Sequence, residues 1–267
     1  MSDTHKILPN STFTIQDLPT DGKLLFPDRE QAEKAFKNGR KQLAELQRRL
    51  YAEGKQKLLI VFQAMDAGGK DGTIRKVFSG VNPQGVVVNS FKVPSKEELA
   101  HDFLWRIHKK TPATGMINVF NRSHYEDVLV VRVHNYVPES VWRPRYEQIN
   151  QFEKLLHDNG TRILKFFLHI SKDEQKERFQ DRLDVPEKNW KFSVDDLRKR
   201  TFWDDYMAAY EEMMQQCSTE YAPWYAIPAN QKWYRNWAIM NVILNTLNEM
   251  APQYPPPEDD IEGIVVE

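Results

Sequence analysis

The chain has 267 residues, 40% of them hydrophobic and 28% charged, with 37 Lys plus Arg against 38 Asp plus Glu. That length suits one large α/β domain or two small ones, and the composition excludes a disordered chain. The balanced charge excludes whole-surface attraction to nucleic acid, so any anion site has to be a local basic cluster. One cysteine, Cys217, excludes an internal disulfide and a multi-cysteine metal site; among Tyr210, Met213 and Met214 it reads as core filler. No apolar run approaches the ~18 residues of a membrane span and MSDTHKILPN is no signal peptide, so a cytoplasmic protein without a membrane partner is expected.

Residues 1–30 carry Pro9, Pro19 and Pro27 without strong periodicity and read as an irregular arm. From 31 to 53, Phe36, Leu43, Leu46 and Leu50 recur at helical spacing, closed by Gly54 as C-cap. Leu58, Leu59, Ile60, Val61 and Phe62 form a buried strand, 58–63, that breaks directly into AMDAGGKDGT at 64–73. A strand, a glycine-rich turn and a lysine opening a helix (70–78) is how a phosphate-binding loop is built. Its backbone N–H groups cradle phosphate oxygens, and the helix N-terminus adds partial positive charge. The expected phosphate-binding set is Ala67, Gly68, Gly69, Lys70, Asp71, Gly72 and Thr73, with Arg75 and Lys76 one turn beyond. Lys70 is expected to face solvent when no phosphate is bound. Two departures from G-x-x-x-x-G-K-[ST] stand out: Ala64 replaces the first glycine and Asp71 the magnesium-binding hydroxyl. Asp66 inside the loop would repel phosphate unless a metal lay between them, which makes it an expected magnesium ligand. An ordinary Asp-Ala-Gly-Gly turn with a solvated lysine is the bland alternative.

Further strands are expected at 86–91, 116–120, 162–169 and 224–227, between helices at 95–108, 146–157 and from 171 onward. Ser95-x-x-Glu98 and Ser171-x-x-Glu174 are capping boxes that start helices, and Asn159-Gly160 stops one. Residues 127–134 are assigned to helix although their valines also suit a strand. The alternation predicts a three-layer α/β/α fold with a five-stranded parallel sheet. It forms a single domain over 31–251 with a Pro-rich tail at 252–267.

The strand at 116–120 runs into Asn121-Arg122-Ser123-His124-Tyr125-Glu126-Asp127, beside the loop in a fold of this kind. Arg122 could clamp a phosphate bidentately, and Glu126 or Asp127 could bind metal, ribose or base. A polar loop capping a strand fits the same residues, and His124 reads as a hydrogen-bonding residue rather than a nucleophile. Residues 171–200 are the densest in basic side chains, with Arg178 and Arg182 on one helix face. Asp184-Val185-Pro186 breaks the segment before Arg198, Lys199 and Arg200. The layout suits a lid closing over a phosphate chain, and equally a solvated, salt-bridged helix pair. Trp233, Trp237, Met240, Leu244 and Leu247 fall at helical spacing, so the aromatic C-terminal stretch reads as packing against the sheet rather than base stacking.

AMDAGGKDGT, VNPQGV, FNRSHYEDVL, LKFFLHISKDEQ, STEYAPWY and KWYRNW, in this order from about Tyr51 to the tail, resemble the family-2 polyphosphate kinases. The resemblance implies a thymidylate-kinase-like P-loop fold with a helical lid. It further implies a reversible, magnesium-dependent (or manganese-dependent) transfer of a terminal phosphoryl group between inorganic polyphosphate and a nucleotide. Asp66 and Lys70 would act in the loop, Arg122 in the second motif, and Arg178 and Arg182 as lid arginines. Asn121, Arg122 and Glu126 would bind nucleotide, Asp66 and Asp127 metal, and Arg198, Lys199 and Arg200 the polyphosphate chain. Asn121 and Glu126 in FNRSHYED resemble the class that accepts AMP as well as ADP, and a homo-oligomer, dimer or tetramer, is expected. An ATP-using nucleoside monophosphate kinase is the nearest rival. A nucleotide-binding switch without turnover fares worse, because no Asn-Lys-x-Asp motif occurs.

Overall fold

The structure is a computed structural model that describes residues 4–26, 28–262 and 264–266. Pro27 and residues 1–3 of the expected arm, and residues 263 and 267 of the expected tail, lie outside the described residues. Five parallel strands form one sheet in the order β2-β3-β1-β4-β5. They are β1 (Lys57–Gln63), β2 (Val86–Ser90), β3 (Ile117–Asn121), β4 (Thr161–His169) and β5 (Trp224–Pro228). The expected parallel α/β fold is therefore present, with strand ends within one residue of the sequence reading. Central β1 is inaccessible from Leu58 to Phe62, as a strand covered on both faces has to be. Each such side chain contributes about 1.5–3 kcal/mol on burial.

The first long helix, Arg29–Glu53, starts where Asp28 accepts the Gln31 N–H at 2.8 Å and ends at Gly54 with φ 63°. The last, Lys232–Met250, crosses it so closely that a Cβ on Gly39 would lie 2.7 Å from Met240. The aromatic C-terminal stretch thus packs on the first helix as well as on the sheet. Trp237, Met240, Leu244 and Leu247 are all buried.

Three local readings need correction. The helix expected over 95–108 is two short helices, Lys96–Leu99 and Trp105–His108. Asp102 separates them by accepting the Leu104 N–H at 2.9 Å, a local bond that competes with helix continuation. The helix expected over 127–134 is a 3-10 turn, His124–Asp127, followed by a single α turn, Val130–Val133. The Ser171 hydroxyl caps Glu174 N, but the Glu174 carboxylate turns to Arg178 Nε at 2.7 Å rather than closing a box.

Register places the chemistry. Phe62 of β1 lies beside Asn121 of β3, which lies beside Ser90 of β2. The turns after these strands therefore open onto one crevice at the carboxyl edge of the sheet, where open α/β folds bind ligands. Among the described residues, no helix is long and apolar enough to cross a membrane.

Candidate active site

The loop after β1 doubles back at once: Gly68 N donates to Met65 O at 2.9 Å, and Gly69 caps the helix Lys70–Val77 with φ 99°. That left-handed backbone favours glycine at 69, and a Cβ there would also displace the Arg235 guanidinium. Ala67 (φ 60°) and Arg122 (φ 62°) hold left-handed backbone without being glycine, each at a cost of about 1–2 kcal/mol. Such conformations persist where surrounding contacts over-determine them. At Arg122 one such contact is its own N–H on Phe62 O, 3.1 Å away.

Behind the Arg122 turn is a fully buried polar knot. Lys165 Nζ donates to Glu153 Oε2 (2.5 Å), the Tyr125 hydroxyl (2.8 Å) and Cys217 O (2.6 Å). Glu153 Oε1 accepts from the Tyr125 hydroxyl at 2.8 Å and meets His124 Nε2 at 3.2 Å. Burial pushes Glu153 up, yet Lys165 and His124 outweigh it and hold the carboxyl below its ordinary range. His124 is thus a hydrogen-bonding residue inside the core. Burial pushes the Cys217 thiol up to about 12, which leaves it inert at neutral pH.

Arg122 projects from this turn to Asp66 Oδ1 at 2.7 Å and to Glu126 Oε2 at 3.6 Å. Burial raises Asp66, but Arg122, Lys70, Lys199 and Arg182 prevail and keep it ionised below the ordinary carboxylate range. Asn121 Nδ2 donates to Asp71 Oδ1 at 2.6 Å. Lys70, expected to face solvent, is 9% exposed and donates to Ala64 O at 2.8 Å. Burial first, and then the Arg122 charge, pull its pKa from 10.5 to about 8. The ammonium thus rests on the backbone where β1 gives way to the loop.

A cleft of about 710 Å³ collects ten basic side chains against four acidic ones. Asp66, Ala67, Gly68, Gly69, Lys70, Asp71, Gly72, Arg75, Asn121, Arg122, Arg178 and Arg182 line it, so most of the candidate residues converge. Glu126 and Lys199 line an adjoining cavity of about 40 Å³ with Tyr206 and Tyr210. The remaining candidates lie elsewhere. Thr73 is buried, with its hydroxyl on Gly69 O at 2.9 Å; Lys76 is exposed on the loop helix; Asp127 turns to Arg145 at 3.3 Å. Arg198 is exposed, and Arg200 donates to Lys172 O and Gln175 Oε1. Burial raises Asp127 to about 6 despite Arg145.

Lys92, Lys188, Lys191, Lys232 and Arg235 also line the cleft, and the sequence reading missed them. Lys232 and Arg235 are one turn apart on a helix read only for its aromatic face. The three-residue spacing of those cations was the available signal. Arg235 is buried, and burial together with the Arg178 charge draws it down to about 9, which marks a cation short of counter-charge.

Among the described residues, no three metal-ligating side chains cluster. A hard divalent cation bound together with phosphate takes one or two carboxylates and completes its shell with phosphate oxygens and water. Asp66 and Asp71 are the carboxylates of the loop and its helix that line the cleft.

A parallel sheet with a glycine turn, a buried lysine and a neighbouring arginine turn above one basic cleft defines the phosphate-binding-loop class of α/β proteins. Within that class, "Polyphosphate kinase 2 (PPK2)" matches residues 26–255, and the chain belongs to this family. It is 54% identical over 264 residues to the "AMP/ADP-polyphosphate phosphotransferase" of Meiothermus ruber, covering 98% of this chain and 99% of that protein. It is 49% identical to the "ADP-polyphosphate phosphotransferase" of Rhodopseudomonas palustris, covering 89% and 86% respectively. The crystal structure of polyphosphate kinase 2 from Arthrobacter aurescens TC1 superposes with TM-score 0.93 at 41% identity, covering 97% of this chain and 93% of that one.

Proposed function

We propose that the protein is a polyphosphate:nucleotide phosphotransferase that moves the terminal phosphoryl group of inorganic polyphosphate onto AMP and ADP, giving ADP and ATP. The observation that carries this reading is the charge of the cleft. Ten basic side chains face four acidic ones there, in a chain whose net charge is −1. A surplus of six positive charges exceeds what one triphosphate uses and suits a longer polyanion. The names of the Meiothermus ruber and Rhodopseudomonas palustris relatives support the same donor and acceptors.

Phosphoryl transfer passes through a loose transition state, so positioning and charge neutralisation suffice without a covalent intermediate. Lys70 leaves Ala64 O for the transferring group, and Arg122 neutralises charge on the same group. Asp66, and Asp71 beside it, would hold magnesium, which would supply positive charge to the phosphates; manganese would suit the same donors. Asn121, Arg122 and Glu126 would orient the acceptor nucleotide. Arg75, Arg182, Lys188, Lys191 and Lys232 would hold the donor chain, under a lid formed by 171–200 of the single domain 31–251. The cytoplasmic nucleotide pool is the expected setting. Val87 and Val88 stand exposed on edge strand β2, which supports a homo-oligomer. The test is AMP, polyphosphate and Mg²⁺ without ATP, following ADP and ATP. Turnover is expected, and turnover only after ATP is added would select the ATP-using monophosphate kinase instead.

A further inference from the structure

Three consecutive carbonyls of the phosphate loop are held by side chains from distant helices. Asp66 O accepts from Gln175 Nε2 at 2.9 Å, Ala67 O from Arg178 Nη1 at 2.9 Å, and Gly68 O from Arg235 Nη1 at 3.4 Å. A trans peptide points its C=O and N–H in opposite directions. Fixing the carbonyls of Asp66 and Gly68 on the helix side therefore turns the amides of Ala67 and Gly69 the other way. Arg178 is fully committed to this work: it also donates to Glu174 Oε1 (2.7 Å), Ala229 O (2.6 Å) and Asn230 O (3.1 Å).

Gln175 has a second connection. Its amide is 1% exposed, and its Oε1 accepts from Arg200 Nη1 at 3.0 Å, at the end of the outer lid helix Val194–Arg200. Both ends of one buried amide are thus spoken for, by the lid on one side and the loop on the other. Because Arg200 can only donate and Asp66 O can only accept, the pair fixes which way the amide faces. Were Arg200 withdrawn, Oε1 would lose its donor and the buried amide would be held by its bond to Asp66 O alone. Lys199, from the same outer helix, approaches the Asp66 carboxylate at 3.8 Å.

We infer that Gln175 is a positioning residue: it reports closure of the outer lid helix, through Arg200, to the backbone of Asp66, and so shapes the phosphate loop only when the lid is in place. The role rests on the phosphotransferase reading, so the test includes a readout that needs no turnover. Gln175→Met, Arg200→Met and the double variant are compared by amide exchange at Gly68, whose N–H bonds Met65 O, in ligand-free protein. Among the described residues Arg200 has no hydrogen bond or ion pair to the loop, yet Arg200→Met should speed exchange at Gly68 by about tenfold, as should Gln175→Met, and the double variant by no more than either alone. In steady-state assays both single variants should lower kcat by about tenfold while the KM for AMP moves less than about threefold. Unchanged Gly68 exchange in Arg200→Met, or multiplying effects in the double variant, would overturn the relay. If no variant or parent turns over polyphosphate, the exchange data still decide the relay, and the failure belongs to the functional reading alone. Arg200 is half-exposed, so its substitution keeps the test open if Gln175→Met does not fold.

Discussion

The phosphate loop and the lid carry similar residue types and are held in opposite ways. Around the loop, Lys70, Gln175 and Arg235 are all buried, and each donates to a backbone carbonyl of residues 64–68. The outer lid instead rests on pairs such as Lys188–Asp181, with side chains 42% and 46% exposed, and Lys199–Asp195. Exposed pairs of this kind contribute about 0–1 kcal/mol each and are screened by salt. The boundary falls inside the expected lid. The helix Lys172–Asp184 is bolted to the loop by Gln175 and Arg178, whereas residues 185–200 are held largely by half-exposed side-chain pairs, with Arg200 on the buried Gln175 amide as an inward tie. Burial thus separates what must be precise from what must open.

The sharpest way to break this comparison is at Lys70. Lys70→Met should lower turnover by about a hundredfold or more, as losing a charge aimed at the transition state does. Its melting temperature should equal or exceed that of the parent, because burying an ammonium group costs the free fold stability. Turnover within about tenfold of the parent, ~1.4 kcal/mol, would remove Lys70 from the chemistry. Asp66→Asn comes next. Asn preserves the shape but not the charge that faces Arg122 and Lys199, so turnover should fall by about tenfold or more and half-maximal Mg²⁺ should rise. A silent Asn variant with unchanged Mg²⁺ dependence would leave Asp66 as a turn residue only.

Lys70 also predicts a pH dependence whose two halves have opposite sign. With its pKa drawn down to about 8, the free enzyme loses the ammonium as pH rises, so kcat/KM should fall above about pH 8. Stability should move the other way. The folded chain releases this proton before the unfolded one, so between about 8 and 10.5 the Lys70 contribution rises with pH. A kcat/KM profile flat to pH 9.5, with normal stability, would place Lys70 in an ordinary solvated setting.

The sheet and the loop were legible because their causes are local. Leu58–Phe62 is an unbroken apolar run, and AMDAGGK can only turn. Asp102 was overlooked as a helix breaker because Ser95 and Glu98 gave a strong start signal just before it. The lid boundary was illegible for a different reason: Gln175 and Arg178 look like solvated members of a charged helix until the loop, over 100 residues earlier, is folded against them. Asp127 is expected from its place in the motif to bind metal, and its partner in the folded chain, Arg145, lies 18 residues on and out of reach of motif reasoning. One periodic hint went unused: Gln175, Arg178 and Arg182 share a helix face.

The smallest effect expected is at Arg198, and it tests the outer side of the comparison. Arg198 is exposed, and its side chain has no partner among the described residues, unlike Lys199 on Asp66 and Arg200 on Gln175. A charge in that setting can hold a passing polyanion but cannot position a reacting atom. Arg198→Ala should therefore leave kcat unchanged and raise the KM for long polyphosphate by about twofold to threefold, with less effect on a short chain that does not reach the outer helix. The difference should shrink as salt is raised, since exposed charges are screened over ~8–10 Å at physiological ionic strength. Michaelis constants for a short and a long donor, each at low and high salt, make the measurement. Equal, salt-independent values would mean that the donor chain leaves the cleft by another route, past Lys92 or Lys232, and that Arg198 is only part of a solvated helix face.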